Sequence, residues 1–334
     1  MKRHGNLWEK ITSLENIKAA HVAARKGKSY YTEVQMVNKD LEQYAKEIQL
    51  SLLNKTFTTS PYVVSMRSDG RKIRTIHKLP YYPDRIVQHA LLNVVGPIFT
   101  RCFIRDSFQS IVGRGTYDAM KRVKKIISEK KPKYALKIDI EKYYPSVNND
   151  KLKNEVRQKI KCEDTLWLID NIIDSAKGLP IGNYTSQHLG NLYLNKFDWW
   201  IKQQIKPAGY FRYCDDIVVM NNSRYELVQL CKKMISRLET LKLKTKPNWS
   251  IYNLLHQGLN FVGYIFFQGK TKLRPSIAKQ FKQTCKEIKT FSDRNRSRIM
   301  SYKGWCRPVN AKLLWRNNIK KLFHLFPKQL RYGI

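Results

Sequence analysis

Acidic residues are scarce in this chain. Asp and Glu together number 26 against 63 Lys and Arg in 334 residues, a formal charge of +37. An imbalance of that size argues for a polyanionic partner whose phosphates offset the self-repulsion, and nucleic acid is the leading candidate. A bilayer surface also attracts basic segments. Yet no apolar run is long enough to span one, and the opening MKRHGNLWEK has no apolar core behind it to make a signal peptide. Cysteines are few and scattered: Cys102, Cys162, Cys214, Cys231, Cys285 and Cys306 form no C-x-x-C pair. That argues against a zinc site or a disulfide framework and fits reduced, buried thiols in a cytoplasm. With 42% hydrophobic residues the chain can still form two or three subdomains around one or two cores.

The segment TSLENIKAAHVAARKGKS reads as one helix, with Thr12 and Glu15 as a capping box and Gly27 after its last turn. VQMVNKDLEQYAKEIQLSLLNKTF reads as a second, amphipathic helix. YVVSMRSDGRKIRTIHKLP predicts a strand, a turn at Asp69-Gly70 and a returning strand carrying Arg71, Lys72 and Arg74. DRIVQHALLNVVGPIF is helical up to Pro97, and TYDAMKRVKKIISEKK is a helix with a basic face. In ALKIDI, Leu136, Ile138 and Ile140 share one face, so burying them turns Lys137 and Asp139 to the other. Helical patterns follow around NDKLKNEVRQKI and LWLIDNIIDSA, then a loop KGLPIGNYTSQ, a long helix over about 187–204, and a helix in YELVQLCKKMISRLETL. Beyond residue 270 only Glu287 and Asp293 oppose a dense run of Lys and Arg, interleaved with Trp305, Trp315, Phe323 and Phe326. This suits a basic helical subdomain laid along a nucleic acid backbone, and equally a solvated basic face over an aromatic core.

In FRYCDDIVVM two adjacent carboxylates, Asp215 and Asp216, interrupt apolar and aromatic runs, which places them at the tip of a hairpin with arms 210–214 and 217–220. Such a pair persists beside an apolar sheet when a Lys/Arg cluster or a divalent metal ion neutralises it. Asp139 supplies a third carboxylate from another strand. Phosphoryl transfer to a 3′ hydroxyl uses two divalent ions close together. Carboxylates on neighbouring strands suit Mg²⁺, because hard oxygen ligands match it and a rigid sheet fixes their separation. A lone exposed Asp on a strand is ordinarily solvated or salt-bridged; the three in this order are a more specific pattern.

KIDIEKYYPSV, GLPIGNYTSQHLGNLYLN, FRYCDDIVVM and FVGYIFF resemble, in order and spacing, successive palm motifs of reverse transcriptases. KIRTIHKLPYYPDRIVQHALLNVVGPIF and DSFQSIVGRGTYDAM are similar to the two blocks before the palm in prokaryotic members, so the resemblance covers roughly 65–268. It implies an α+β right-hand polymerase. N-terminal helices and fingers would occupy 1–135, a ferredoxin-like palm with an antiparallel sheet 136–268 with a fingers insertion at about 150–180, and a short basic helical thumb 269–334. By the same resemblance Asp139, Asp215 and Asp216 match the metal-binding aspartates and Ile140 the position whose backbone carbonyl joins them, for two Mg²⁺ ions or Mn²⁺. Tyr144 matches the aromatic gate under the incoming sugar, although its spacing suits core packing nearly as well. Lys72 and Arg74 match fingers positions on the triphosphate, which without the resemblance read as a solvated strand face. Ile181 and Gly182 lie in the loop beneath the nascent base pair, and Arg114, Gln187, Tyr213, Gly263 and Tyr264 match positions along template and primer. In LKLKTKPNW the general-acid lysine that protonates departing pyrophosphate is Lys244 or Lys246, with Lys246 favoured.

One departure narrows the resemblance. Most reverse transcriptases carry Gln before the motif Gly and Pro after the Ser, whereas here the stretch is Ile181-Gly182-Asn183-Tyr184-Thr185-Ser186-Gln187. That substitution pair, with the opening KRHGNLWEKITSLENI and the closing RYGI, resembles the enzymes of diversity-generating retroelements, which copy a template RNA with frequent errors opposite adenine and pass the cDNA into a variable gene region. The resemblance implies a template RNA, a cDNA/RNA hybrid and dNTPs as ligands, and a small accessory variability protein that forms a pentameric barrel; with fingers, palm and thumb assigned, no stretch is expected to encode an RNase H or endonuclease domain. Physically, Ile181 cannot make the hydrogen bonds that Gln offers beside the templating base, which weakens discrimination between right and wrong pairs. The rivals are a reverse transcriptase of another bacterial class (group II intron-like, retron or defence-associated), a non-catalytic RNA-binding scaffold, and a metal-dependent nuclease. A group II intron type is expected to carry Gln at position 181.

Overall fold

Local capping chemistry subdivides the N-terminal helices more finely than their apolar spacing suggests. A computed structural model describes residues 3–69, 72–290 and 292–325; Arg71, Phe326, the closing RYGI and the side chain of Lys72 lie outside the described residues. The first expected helix is two, Trp8–Thr12 and Leu14–Ala24, and the cap is Ser13 rather than Thr12: its hydroxyl accepts from the Asn16 N–H at 3.2 Å. The second is likewise two, Thr32–Lys39 and Leu41–Leu53, because the Asp40 carboxylate caps the Gln43 N–H and leaves helical geometry to do so. The next segment is the expected hairpin, β1 (Val63–Asp69) against β2 (Lys72–Lys78), antiparallel with Arg67 opposite Arg74.

The following helix, Ile86–Cys102, runs through Pro97 instead of ending there. An interior proline costs roughly 3 kcal/mol. Val95, Ile98 and Phe99 are all buried around it, and at roughly 1.5–3 kcal/mol for each such side chain their burial outweighs the lost backbone bond.

Strict alternation builds the central layer. Five strands, β3 (Ser107–Phe108), β4 (Tyr134–Asp139), β5 (Gly209–Tyr213), β6 (Asp216–Asn221) and β7 (Ser250–Asn253), lie in the order β3-β5-β6-β4-β7, all antiparallel except the β3–β5 pair. Leu136, Ile138, Tyr210, Ile217 and Val219 face a core shared with the N-terminal helices, Ile86–Cys102, Asn149–Arg157, Glu163–Asp174 and Arg224–Thr240. Ala135, Phe211, Val218 and Met220 face a second core. There they meet the helix Thr116–Lys130 and a small sheet of β8 (Leu259–Phe261), β9 (Tyr264–Phe266) and β10 (Thr271–Leu273), ordered β10-β9-β8. With both faces covered, the open positions for chemistry are the strand ends.

The long helix expected over 187–204 is broken at Leu194 into Ser186–Tyr193 and Asn195–Trp200, followed by a wider turn at Ile201–Ile205. Helices Pro275–Glu287, Asp293–Cys306 and Lys312–Ile319 close a third, small core, in which Phe281 stacks on Trp315 at 5.4 Å. The fold is α+β.

Candidate active site

The carboxylates meet where β4 and β6 run out together. Asp139 is the last residue of β4 and stands directly opposite Asp216, the first of β6. Asp215 occupies the turn before it, and its carbonyl accepts the Ile140 N–H at 3.2 Å. Sequence position thus separates Asp139 from the pair by more than seventy residues, and strand pairing removes the separation. The two adjacent aspartates differ in setting: one sits in the turn, the other at the head of a strand.

Each outer carboxylate has a lysine. Lys246 Nζ meets Asp139 Oδ1, and the Lys246 N–H also donates to the Asp139 carbonyl at 2.8 Å. Lys244, two residues earlier, is exposed and its carbonyl accepts the Glu141 N–H, so Lys246 is the one of the two ion-paired with a motif aspartate. Lys137 Nζ lies 2.9 Å from Asp216 Oδ2 and donates to the Asn260 carbonyl at 3.0 Å. Lys137 was not among the residues expected here, although its place two residues from Asp139 on one face of β4 was the available signal.

Two cations do not satisfy three carboxylates. Burial first, and the Asp139 charge second, raise the Asp215 carboxyl above the usual range. Burial pushes Asp216 up to about 6 even with Lys137 beside it, and its Oδ1 is buried without a partner. Among the described residues no three His, Cys, Asp or Glu side chains already surround one point as metal ligands, since Asp139 and Asp216 are each drawn toward a lysine. The unpartnered oxygen, the raised carboxyls and the all-oxygen donor set nevertheless fit a divalent cation, whose charge relieves what the lysines leave uncompensated.

Beneath the turn lies a residue that sequence reading passed over. Arg212 and Asp198 are both fully buried; the guanidinium bonds both carboxylate oxygens at 2.7–3.0 Å, Asn191 Oδ1 at 3.1 Å and the Cys214 carbonyl at 3.0 Å. Burial works against its charge, and Asp198 more than reverses that. Arg212 therefore fixes the carbonyl of Cys214, a residue at φ +58°, immediately before Asp215. Above the turn the Tyr144 hydroxyl meets Cys214 Sγ at 3.4 Å, and burial raises that phenol's pKa. Tyr144 is partly buried and packs near Gly190, where an added Cβ would stand 3.2 Å from its ring.

The hairpin meets the 181–182 loop through His77. The Ile181 carbonyl accepts the His77 N–H at 2.8 Å, and an added Cβ on Gly182, at φ +138°, would lie 2.0 Å from the His77 carbonyl oxygen. No side chain fits there. Asn183 donates to the Tyr62 hydroxyl, and the Gln88 side chain accepts the Tyr184 N–H, so the loop is held from both sides. Arg74 lies on the exposed hairpin.

The other expected template and primer positions have partners within the chain, and Tyr213 stands opposite Asp216 across the β5–β6 pair. Arg114 turns its guanidinium inward to the Ile104 carbonyl at 2.8 Å, Gln187 is exposed and meets the Ser110 hydroxyl, and the Tyr213 hydroxyl is 3.4 Å from Thr116 Oγ1. The Tyr264 side chain is buried and its hydroxyl donates to the Trp305 carbonyl at 3.3 Å. Gly263, at φ +87°, makes room for the Trp305 ring, where an added Cβ would come within 2.3 Å. Both meet Trp305 of the helix Asp293–Cys306.

The sequence profile described as Reverse transcriptase (RNA-dependent DNA polymerase) matches residues 67–266, more than half of the chain and the span that holds every carboxylate and lysine of the site. The chain belongs to the reverse transcriptase family. Protein YkfC of Escherichia coli is 22% identical over 308 residues, covering 76% of this chain and 80% of that protein. Among solved structures, this reverse transcriptase is similar to apo telomerase from Candida tropicalis (TM-score 0.52, 12% identity, 70% of this chain and 51% of that one). It is also similar to telomerase from Candida albicans in complex with a TWJ fragment of telomeric RNA (TM-score 0.52, 9% identity, 85% and 61%). At such identities the likeness is one of fold, and the chain spans about half to three-fifths of those telomerases. The fold is that of a right-hand polymerase, and the enzyme is an RNA-directed DNA polymerase, a nucleotidyltransferase.

Proposed function

We propose that this reverse transcriptase makes error-prone cDNA from a template RNA for mutagenic retrohoming in a diversity-generating retroelement. The observation that carries the catalytic part is the convergence of Asp139, Asp215 and Asp216 at one end of β4 and β6. Asp139, Asp215, Asp216 and the Ile140 carbonyl would hold two Mg²⁺ ions. Such ions would supply Lewis acidity for the primer 3′ hydroxyl and positive charge for the triphosphate. Lys246, positioned by Asp139, is the proton donor to the leaving pyrophosphate. Lys72 and Arg74 meet the triphosphate from the hairpin, and Tyr144 lies under the sugar, where its ring disfavours a 2′ hydroxyl. In this reading residues 1–135 are N-terminal helices and fingers, 136–268 the palm and 269–334 the thumb.

The retroelement assignment rests on Ile181. Its carbonyl is fixed by His77, so its aliphatic side chain takes a set position in the loop under the nascent pair and offers no hydrogen bond to hold a correct geometry. A template RNA, the cDNA/RNA hybrid and an accessory variability protein are the partners this reading requires, and the +37 charge supports the first two.

Primer extension on an RNA template with each dNTP singly tests both parts. Asp215→Asn is expected to abolish extension; equal extension by variant and parent overturns the catalytic assignment. Ile181→Gln is expected to raise selectivity opposite adenine, and unchanged misincorporation removes the mechanism given for Ile181.

A further inference from the structure

Outside the carboxylate site, the most exposed aromatic pair of the N-terminal helices lies in the turn after Leu14–Ala24. Tyr30 is 72% exposed and Tyr31 45%, and their rings meet edge to face at 4.8 Å. Arg25, Lys26 and Lys28 precede them, with no acidic residue between Arg25 and Glu33. Two large rings facing water beside three cations are unfavourable for an isolated surface and suited to a strand of stacked bases on a phosphate backbone.

The turn is built rather than loose. Lys28 N–H donates to the Arg25 carbonyl and Tyr31 N–H to the Lys28 carbonyl, each at 2.9 Å, while Asn38 Oδ1 bridges Arg25 and His21. Two residues after Tyr31, the Glu33 carboxylate accepts the N–H groups of Tyr81 and Tyr82, just beyond the end of β2. His21 Nδ1 meets the Tyr81 hydroxyl at 2.9 Å. Lys28 also lies near enough to His89 to add, after burial and Arg85, to the forces that keep that ring neutral, and His89 stacks at 3.8 Å on Tyr184 of the Ile181 loop. The patch therefore flanks the hairpin root and the loop assigned to the templating base.

We propose that residues 25–31 form a platform for single-stranded template RNA that has not yet reached the templating position, Tyr30 and Tyr31 stacking on bases and Lys26 and Lys28 meeting phosphates. This rests on the polymerase reading above. The test uses the full chain and two DNA primers annealed to RNA templates, one with a 5′ template overhang of about 2 nucleotides and one of about 12, the lengths chosen to stop short of or reach a stacking site. The parent is expected to bind the long overhang more tightly. Tyr30→Ala with Tyr31→Ala is expected to weaken the long substrate roughly tenfold or more and leave the short one unchanged, with an unaltered melting temperature. Tyr30→Phe with Tyr31→Phe keeps the preference. Lys26→Gln with Lys28→Gln lowers the salt dependence on the long substrate by roughly 0.7 in slope per lost phosphate contact. An alanine pair that keeps the overhang preference, or weakens both substrates equally, overturns the proposal, as does loss of binding to a protein partner with the preference intact. A parent that extends neither primer overturns the polymerase reading instead.

Discussion

Arg212→Met removes the cation under the Cys214-Asp215 turn and strands Asp198 in the core. In the parent, three guanidinium–carboxylate contacts of 2.7–3.0 Å join two side chains with no solvent exposure; after the substitution the Asp198 carboxylate keeps, among the described residues, the Tyr210 hydroxyl at 2.6 Å. Breaking a buried pair from one side costs about 3–5 kcal/mol. For a chain of this size that lowers the melting temperature by about 4–7 °C. The double variant Arg212→Met with Asp198→Leu takes both charges away and is expected to recover at least half of the loss, the rest reflecting about 1–3 kcal/mol for acceptors such as the Cys214 carbonyl that remain unpaired. Activity is expected not to follow stability. The carbonyl before Asp215 stays unheld, so extension of a primer on RNA remains at least tenfold below the parent's in both variants, as misplacement at the reacting centre predicts. Urea or thermal melts give the first comparison and single-nucleotide extension the second. A single variant that loses less than about 1 kcal/mol, well under the range for a buried pair, or a double variant that extends like the parent, would show that Arg212 does not position the turn.

Three further outcomes are expected. Gly182→Ala places a methyl group against the His77 carbonyl at a backbone angle that side chains resist, and should detach the loop from β2; nucleotide incorporation falls sharply with a loss of about 1–3 kcal/mol in stability, and normal incorporation by the variant refutes the clip. Gly263→Ala meets the Trp305 ring and should destabilise the seam with the C-terminal helices by about 1–3 kcal/mol, read from denaturant melts. His89 has its pKa depressed to about 4 by burial, aided by Arg85 and Lys28, so between that value and about 6.5 the unfolded chain binds the proton that the folded one refuses. Its contribution is present above about 6.5 and is lost as pH falls, about 2 kcal/mol between about pH 7 and about pH 5. His89→Phe, which keeps a ring against Tyr184, should flatten that decline, and an unchanged pH profile sinks the assignment.

Much of the molecule is decided locally and was legible in the sequence. The alternation of ALKIDI forces Asp139 to the face opposite Leu136, Ile138 and Ile140, because side-chain direction in a strand depends only on parity, and the polar interruption of FRYCDDIVVM makes a hairpin turn, although it falls at Cys214 and Asp215, one residue earlier than expected, with Asp216 already in the strand. Single capping residues were harder to read: Ser13 and Asp40 divide helices whose apolar spacing runs on across them, and core burial carries a helix through Pro97. What pairing and packing alone decide is which distant groups meet. That Asp139 faces Asp216, that Lys137 and Lys246 each take a carboxylate, that Arg212 reaches the Cys214 carbonyl and that Gly182 abuts His77 depend on strand register and on desolvation, which no stretch of sequence contains by itself.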